Sequence, residues 1–231
     1  MKKNRRQTLS VIIPTKNRSE LLSRVLSALN RQSPRSDNVV VVDTSGASFQ
    51  IQNKAIVDLF PSLPIRYYRL PHASASRARN YGIKRSTGDI LAFLDDDSVP
   101  EPGWVQAIKK AVTVGTFCFR GQCTDASESN TIVHTFYTFY KELITQDIKR
   151  QWSSYGHWKG YQVVDLIQAG NFFVHRDILM HMHPVFDERH FPFIAEETDF
   201  SLRLRKSGYQ ILYVPEAKIR HYFLRLGYKS F

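Results

Sequence analysis

Residues 90–97 read Ile-Leu-Ala-Phe-Leu-Asp-Asp-Asp. Five apolar residues in a row, entered through the turn Thr87-Gly88-Asp89, predict a strand buried on both faces. Burial of both faces belongs to a sheet covered by helices on each side. The strand then delivers three carboxylates at its carboxyl end, where open α/β sheets bind their ligands. These eight residues therefore set an expectation of fold class and of a site within it.

The rest of the chain extends the same rhythm. Leu9-Ser10-Val11-Ile12-Ile13 is a strand that stops at Pro14, since proline cannot donate into a central ladder. Leu21, Leu22, Val25, Leu26 and Leu29 have helical spacing. Val39 to Val42 is a second strand ending at Asp43; Ile51, Ala55, Ile56 and Leu59 mark a helix; Ile65 to Leu70 is a third strand. Ser74 to Arg85 is helical, with Ser74 or Ser76 as N-cap. After the aspartates, Pro102 suits the first turn of a helix through Val105, Ile108 and Val112, and Phe117 to Cys123 is extended. Further on stand an amphipathic helix (Ile132, Phe136, Phe139, Tyr140, Leu143, Ile144) and an aromatic stretch (Trp152, Tyr155, Trp158, Tyr161) that suits packing or an acceptor groove. A strand over Ala169 to Val174, a helix over Glu196 to Lys206 closed by Gly208, and strands over 211–214 and 217–221 complete the pattern. The expectation is one α/β domain over 1–231, with a Rossmann-like, mostly parallel sheet flanked by helices and a mixed C-terminal part.

Composition narrows the function classes. At 231 residues, 42% hydrophobic and 13% aromatic, the chain can bury a core and is not disordered. No apolar run reaches the roughly 18 residues of a membrane span. The basic start Met1-Lys2-Lys3-Asn4-Arg5-Arg6 is followed by too short an apolar run for a signal peptide, so a cytoplasmic location is expected. Cys118 and Cys123 form neither zinc spacing nor a disulfide framework, and are expected as buried free thiols. The net charge of +11 comes without a helix-turn-helix, RNP or zinc-finger pattern, so nucleic acid is not an expected partner. Lys2, Lys3, Arg5 and Arg6 at one end, and Lys218, Arg220, Arg225 and Lys229 at the other, suit either a solvated surface or peripheral association with the anionic inner face of a membrane.

Four features fall beyond the carboxyl ends of the strands: Pro14-Thr15-Lys16-Asn17-Arg18, Asp43, Asp95-Asp96-Asp97, and the helix carrying Arg77 and Arg79. Three adjacent carboxylates repel one another and call for a cation; hard oxygen ligands suit Mg²⁺ or Mn²⁺, held together with substrate phosphates.

In this order the blocks resemble the family 2 glycosyltransferases over nearly the whole chain. Val11 to Arg18 resembles the family's opening strand and loop, and Val40-Val41-Val42-Asp43 its second strand with a nucleoside-contacting aspartate. Ala78-Arg79-Asn80-Tyr81-Gly82, Thr87-Gly88-Asp89 and Phe93 to Asp97 are similar to its central block with the Asp-x-Asp metal motif. Ala169-Gly170-Asn171 is similar to the strand near donor sugar and acceptor, Glu196 to Tyr209 to the helix of the catalytic base, and His221 to a histidine that completes the metal site. Two departures stand out: Glu196-Glu197 replaces Glu-Asp, and Thr44-Ser45-Gly46 replaces Asp-Gly-Ser.

The resemblance implies a GT-A fold and an inverting, metal-dependent hexosyl transfer from a nucleoside-diphosphate sugar, UDP favoured, to a saccharide, lipid-linked or protein acceptor, in glycan or polysaccharide synthesis. It divides the chain into a nucleotide-binding part (about 8–125) and an acceptor and base part (about 126–231). Asp95, Asp97 and His221 would hold Mn²⁺ or Mg²⁺. Pro14, Thr15, Asn17, Arg18, Asp43, Arg79, Asp95 and Asp96 would line the donor site, although Asn17 and Arg18 also suit shaping the loop and capping the helix. Glu197 would be the base, with Glu196 in support on the apolar stripe of Phe200 and Leu204; Arg79 would bind the diphosphate, or pair with Asp89. A sugar nucleotidyltransferase would want a glycine-rich loop where Pro14 to Arg18 has none, and a non-catalytic scaffold would have no reason to keep Asp95, Asp97, Glu196 and Glu197 together.

Overall fold

The computed structural model describes residues 6–115, 117–125, 160–168 and 170–222. The helix expected over 132–144, the aromatic residues 152–158 and most of the basic terminal residues lie outside the described residues. The strands are β1 (Leu9–Thr15), β2 (Asn38–Asp43), β3 (Ile65–Arg69), β4 (Ile90–Phe93), β5 (Ser98–Pro100), β6 (Cys118–Asp125), β7 (Gln162–Val164), β8 (Phe172–His175) and β9 (Ile211–His221). The helices are α1 (Ser19–Asn30), α2 (Ala47–Asp58), α3 (Ala75–Arg85), α4 (Trp104–Ala111), α5 (Arg176–Met180) and α6 (Glu196–Lys206). All nine strands join one sheet in the order β3-β2-β1-β4-β8-β6-β9-β5, with β7 on β9. The half β3-β2-β1-β4 is parallel; β8 enters antiparallel between β4 and β6.

Alternation along each strand sorts the core into two layers. Val11, Ile13, Val39, Val41 and Ala92 face α1 and α4, packing with Leu22, Val25, Leu26, Trp104 and Ile108. Ile12, Val40, Val42, Leu91 and Phe93 face the other way, onto Ala78 of α3 and Phe200 and Leu204 of α6. Each valine, leucine, isoleucine or phenylalanine so buried is worth about 1.5–3 kcal/mol over its exposed state. A Cβ on Gly82 would stand 2.5 Å from Ile12 Cγ2, so glycine lets α3 lie close on β1 and sets Arg79, one turn earlier, near the strand ends.

Thr87-Gly88-Asp89 proves to be a register pin. Gly88 N–H donates to Ser10 Oγ (2.8 Å), and Asp89 accepts from the N–H (2.9 Å) and hydroxyl (2.8 Å) of Thr8. Asp89 is therefore tied to β1, and Arg79 goes elsewhere.

Several sequence expectations shift. Helix α4 starts at Trp104, and Pro102 precedes the left-handed Gly103 (φ 87°) instead of entering the first turn. Ser74, not Ser76, caps α3, accepting from Arg77 N–H at 3.2 Å. The two late strands are one, with a register shift against β6: Gly121 pairs with Val214, and Gln122 with Lys218. Pro215 has no N–H to offer there, and a bulge absorbs it. The strand expected from Ala169 begins at Phe172, because Gly170 turns at φ 79°. Helix α2 forms but presents the opposite face: Ile51 and Leu59 are both 71% exposed, while Gln50, Asn53 and Val57 are buried. Both cysteines are buried free thiols, as expected.

Candidate active site

Asp95, Asp96 and Asp97 follow β4 and divide: Asp96 and Asp97 share Arg18, and Asp95 turns away to Arg79. Asp96 is buried. Its Oδ2 accepts from Thr15 Oγ1 (2.8 Å) and Lys16 N–H (3.3 Å), and its Oδ1 from Arg18 (3.1 Å). Burial pushes its carboxyl up to about 6, opposed by Arg18 and the Thr15 hydroxyl. Asp97 receives the same Arg18 nitrogen on Oδ2 (2.9 Å) and stands 3.2 Å from His221 Nε2 through Oδ1. Burial would raise Asp97 too, but the hydrogen bond and charge of His221, with Arg18, hold it below the usual range. His221 comes within reach because β5 pairs antiparallel with β9, matching Ser98 to His221, while Tyr222 N–H donates to the Asp97 carbonyl at 2.8 Å.

Asp95 turns to Arg79, which donates to its Oδ1 at 2.7 Å. The other arm of that guanidinium donates to Glu196 Oε1 of α6 in a very short contact. The Arg79 and Glu196 side chains are each only 5% exposed, so the fork joins the aspartate cluster to α6 inside the protein. Burial would lower the arginine pKa, but Asp95, Glu196 and Glu197 outweigh it and raise it. The cation that three crowded carboxylates demand is thus supplied twice by the chain itself, by Arg18 and Arg79.

Helix α6 begins after Ala195, a non-glycine residue at φ 63°. Holding alanine there costs roughly 1–2 kcal/mol; it swings the chain sharply from the exposed Ile194 into the buried Glu196. Glu196 then falls on the buried stripe with Phe200 and Leu204, and Glu197 faces the cavity. Burial, then the charge of Glu196, pushes the Glu197 carboxyl up to about 7, overriding the helix N-terminus, which favours the anion. An aromatic cluster fixes α6 against β4: Phe93 stacks on Phe172 at 4.4 Å, and Phe186 bridges Phe93 (5.8 Å) to Phe200 (5.4 Å).

These groups surround one cavity of about 470 Å³. Of the residues expected from sequence, it brings together Pro14, Thr15, Arg18, Arg79, Asp95, Asp96, Asp97, Glu196 and Glu197. His221 reaches it through Asp97. Asp43 and Asn17 are not in its lining. Asp43 is fully buried, accepting from Ser45 N–H (2.8 Å), Asn53 (2.8 Å) and the Tyr67 hydroxyl (2.5 Å). Asn17 adopts φ 56° and ties the β1 loop to the β2 loop, donating its N–H to Ser45 Oγ (2.7 Å) and accepting from Gly46 N–H (3.1 Å). Neither Asn17 nor Arg18 caps α1 with its side chain. Lys16, Thr44, Phe193 and Ile194 also line the cavity; Lys16 was legible as part of the first loop, but no periodicity marks Phe193 and Ile194. Asn171, beside the expected sugar-facing glycine, proves to be a stitch, donating to the carbonyls of Gln122 and Ala217 (2.8 Å each) and accepting from Trp104 Nε1 (3.0 Å).

No three His, Cys, Asp or Glu side chains among the described residues already form a metal cluster. Asp97 and His221 nevertheless touch at 3.2 Å, near the roughly 3 Å between adjacent ligands of an octahedral ion with 2.1 Å bonds. A carboxylate and an imidazole that leave the other positions to phosphates and water fit Mn²⁺ or Mg²⁺.

The family described as Glycosyl transferase family 2 matches residues 10–180, most of the chain and all of the strand ends just described except β9. The chain belongs to glycosyl transferase family 2. This family 2 glycosyltransferase is 32% identical over 110 residues to the Bacillus subtilis (strain 168) protein named uncharacterized glycosyltransferase YwdF, a match covering 47% of this chain and 40% of the relative. The chain spans less than half the length of the curated relatives it matches. Its fold is that of GT-A glycosyltransferases. The crystal structure of GalNAc-T7 with UDP, GalNAc and Mn²⁺ superposes at a TM-score of 0.73 and 14% identity, covering 95% of this chain and 44% of that one. The mannosyltransferase PcManGT from Pyrobaculum calidifontis, in complex with GDP-Man and Mn²⁺, superposes at 0.69 and 18% identity, covering 97% and 59%.

Proposed function

We propose that this glycosyltransferase moves a sugar from a nucleoside-diphosphate donor, UDP favoured, onto a hydroxyl of a saccharide, lipid-linked or protein acceptor, with inversion, in glycan or polysaccharide synthesis. The observation that carries the reading is the meeting of Asp95 to Asp97, the β1 loop and the acidic start of α6 around a single cavity. The ligands of the two structural neighbours support a diphosphate donor and Mn²⁺ or Mg²⁺. On this reading residues 8–125 form the nucleotide part and 126–231 the acceptor and base part of one domain.

Asp97 and His221, with Asp95 beside them, would hold the ion. Such an ion, when bound, stabilises negative charge on the departing diphosphate. Thr15, Lys16 and Arg18 form the wall from β1, and Lys16 and Arg18 add positive charge for the same phosphates. Arg79 is a strut between Asp95 and Glu196, a role that replaces direct grip on the diphosphate. Glu197 takes the proton of the acceptor hydroxyl as its oxygen attacks the anomeric carbon from the face opposite the leaving group. A carboxyl held near neutrality is matched to that work. Glu196, sealed against Arg79, orients the turn.

The test is calorimetry of UDP binding with Mn²⁺. Asp97→Asn keeps shape and removes one anionic ligand, so affinity should fall at least tenfold, and EDTA should abolish the difference from wild type. Equal affinity of both proteins in Mn²⁺ and in EDTA would remove the metal from the reading. Hydrolysis across a panel of UDP-, GDP- and dTDP-sugars identifies the donor.

A further inference from the structure

Two large apolar residues stand at the mouth of this cavity: Phe193 is 61% exposed and Ile194 82% exposed. They sit on a braced lip. The Ser76 hydroxyl donates to the Phe191 carbonyl (2.5 Å) and its N–H to the Pro192 carbonyl (3.2 Å), tying the lip to the start of α3. Further back, Asn80 donates to the Phe186 carbonyl (2.8 Å) and accepts from the Phe186 N–H (3.1 Å), and Asp187 accepts from the N–H groups of Arg189 and His190. On the far side the turn at Ala195 locks into α6. The exposure of both side chains therefore belongs to a held backbone, and leaving them in water forfeits apolar burial.

A cation stands over the pair: Lys16 Nζ lies 5.9 Å from the centre of the Phe193 ring, reaching over from the β1 loop. The elements that hold the lip expose Arg77 and Arg189, with Glu188 the exposed acidic residue beside Arg189. Two adjacent apolar side chains among lysine and arginine match the boundary of an anionic bilayer, where rings and aliphatic groups enter the headgroup layer and cations meet phosphate. The net charge of +11 favours the same encounter at longer range. A soluble saccharide would account for a stacked ring, but not for an isoleucine 82% exposed beside it.

We propose that Phe193 and Ile194 dock the cavity mouth on an anionic lipid surface, so that the acceptor delivered to Glu197 is lipid-linked. The choice of acceptor class rests on the transferase reading above; the docking itself does not.

The experiment uses the full chain with vesicles of phosphatidylcholine alone and of phosphatidylcholine with phosphatidylglycerol. Sedimentation should show binding to the anionic vesicles. Phe193→Ser and Ile194→Ser should each weaken it roughly tenfold, the loss expected from one apolar side chain no longer buried. In a separate protein carrying Phe193→Trp, the new indole should be quenched by lipids brominated near the headgroup. No binding, binding that survives both serine substitutions, or an unquenched indole would overturn the proposal. So would a Phe193→Ser protein that binds vesicles normally but needs more of a water-soluble acceptor, since the lip would then be a saccharide contact. UDP calorimetry with Mn²⁺ on the wild-type protein separates the two claims: no nucleotide binding with vesicle docking intact would sink the transferase reading alone.

Discussion

Replacing Glu197 by glutamine should damage catalysis and improve stability, and the second effect should depend on pH. The carboxyl is half-buried at the cavity wall, and its pKa rises from an ordinary 4.5 to about 7. A carboxyl whose pKa is raised on folding contributes most below its unfolded value, and that contribution is lost as pH climbs through the folded one. Between pH 4.5 and 7 the folded protein thus progressively loses, on the order of, 3 kcal/mol at this position. Glutamine keeps the shape and never ionises. Relative to wild type, the Glu197→Gln protein should be little changed at pH 5 and more stable by about 2–3 kcal/mol at pH 8. Urea unfolding at the two pH values measures the difference, which cancels the titration of groups remote from the site and leaves that of Glu197 and the Glu196 carboxyl beside it. Turnover should move the other way: loss of a general base costs roughly 10²- to 10⁴-fold, and the limb of the wild-type rate profile near neutrality should vanish. A glutamine protein equally stable relative to wild type at both pH values would refute the buried anion, and near-normal kcat would refute the base. Glu196→Gln provides the contrast: it leaves the Arg79 fork without its partner and should act mainly by destabilising the fold.

Arg79→Met should cost about 3–5 kcal/mol in urea unfolding, because Glu196 stays buried, and Asp95 half-buried, with their shared cation gone; a loss under 1 kcal/mol would mean the fork is incidental. Arg79→Lys, which keeps the charge but not the two-armed geometry, should fall in between. Phe200→Ala should cost about 3–5 kcal/mol and lower kcat at temperatures where the protein stays folded, since the ring seats α6 on Phe186; Phe200→Leu should restore most of both. Unchanged kcat in a folded alanine protein would uncouple the aromatic cluster from the site.

The parallel half of the fold was legible because its signals are local. Runs such as Val39 to Val42 bury both faces, and no competing structure accepts four adjacent β-branched residues so well. Helix α2 marks where local reading ends. Its apolar residues Ile51 and Leu59 point outward because Asp43, sealed at the end of β2, requires Asn53 from the facing side of the helix. An amide bonded to a buried carboxylate outweighs the burial of one isoleucine, since an unsatisfied charge costs more than exposed hydrocarbon. Nothing in the helical pattern announces that partner ten residues away. The short β5 was hidden for a different reason: three residues carry no period, and their pairing is set by β9, more than a hundred residues later.

The candidate site divides along the same line. Asp95 to Asp97 and Glu196 to Glu197 were visible as residue types at element ends; what each carboxylate does follows from contacts with no sequence signature. Arg79 is the case that decides. Its position on α3 suited a phosphate ligand, and the alternative was an ion pair with nearby Asp89. Asp89 instead holds Thr8, and the guanidinium is taken by Asp95, 16 residues on, and Glu196, 117 residues on. The consequence is mechanical. Asp95 and the helix of Glu197 cannot move independently while one buried, planar cation holds both, so the groups assigned to the leaving diphosphate and to the attacking hydroxyl share one brace. Glu196 and Glu197, about 100° apart around the helix, both line the cavity, and Glu196 is the one held on that brace. On the mechanism proposed above, the two adjacent glutamates hold different work: the first is spent on position, and the second meets the acceptor.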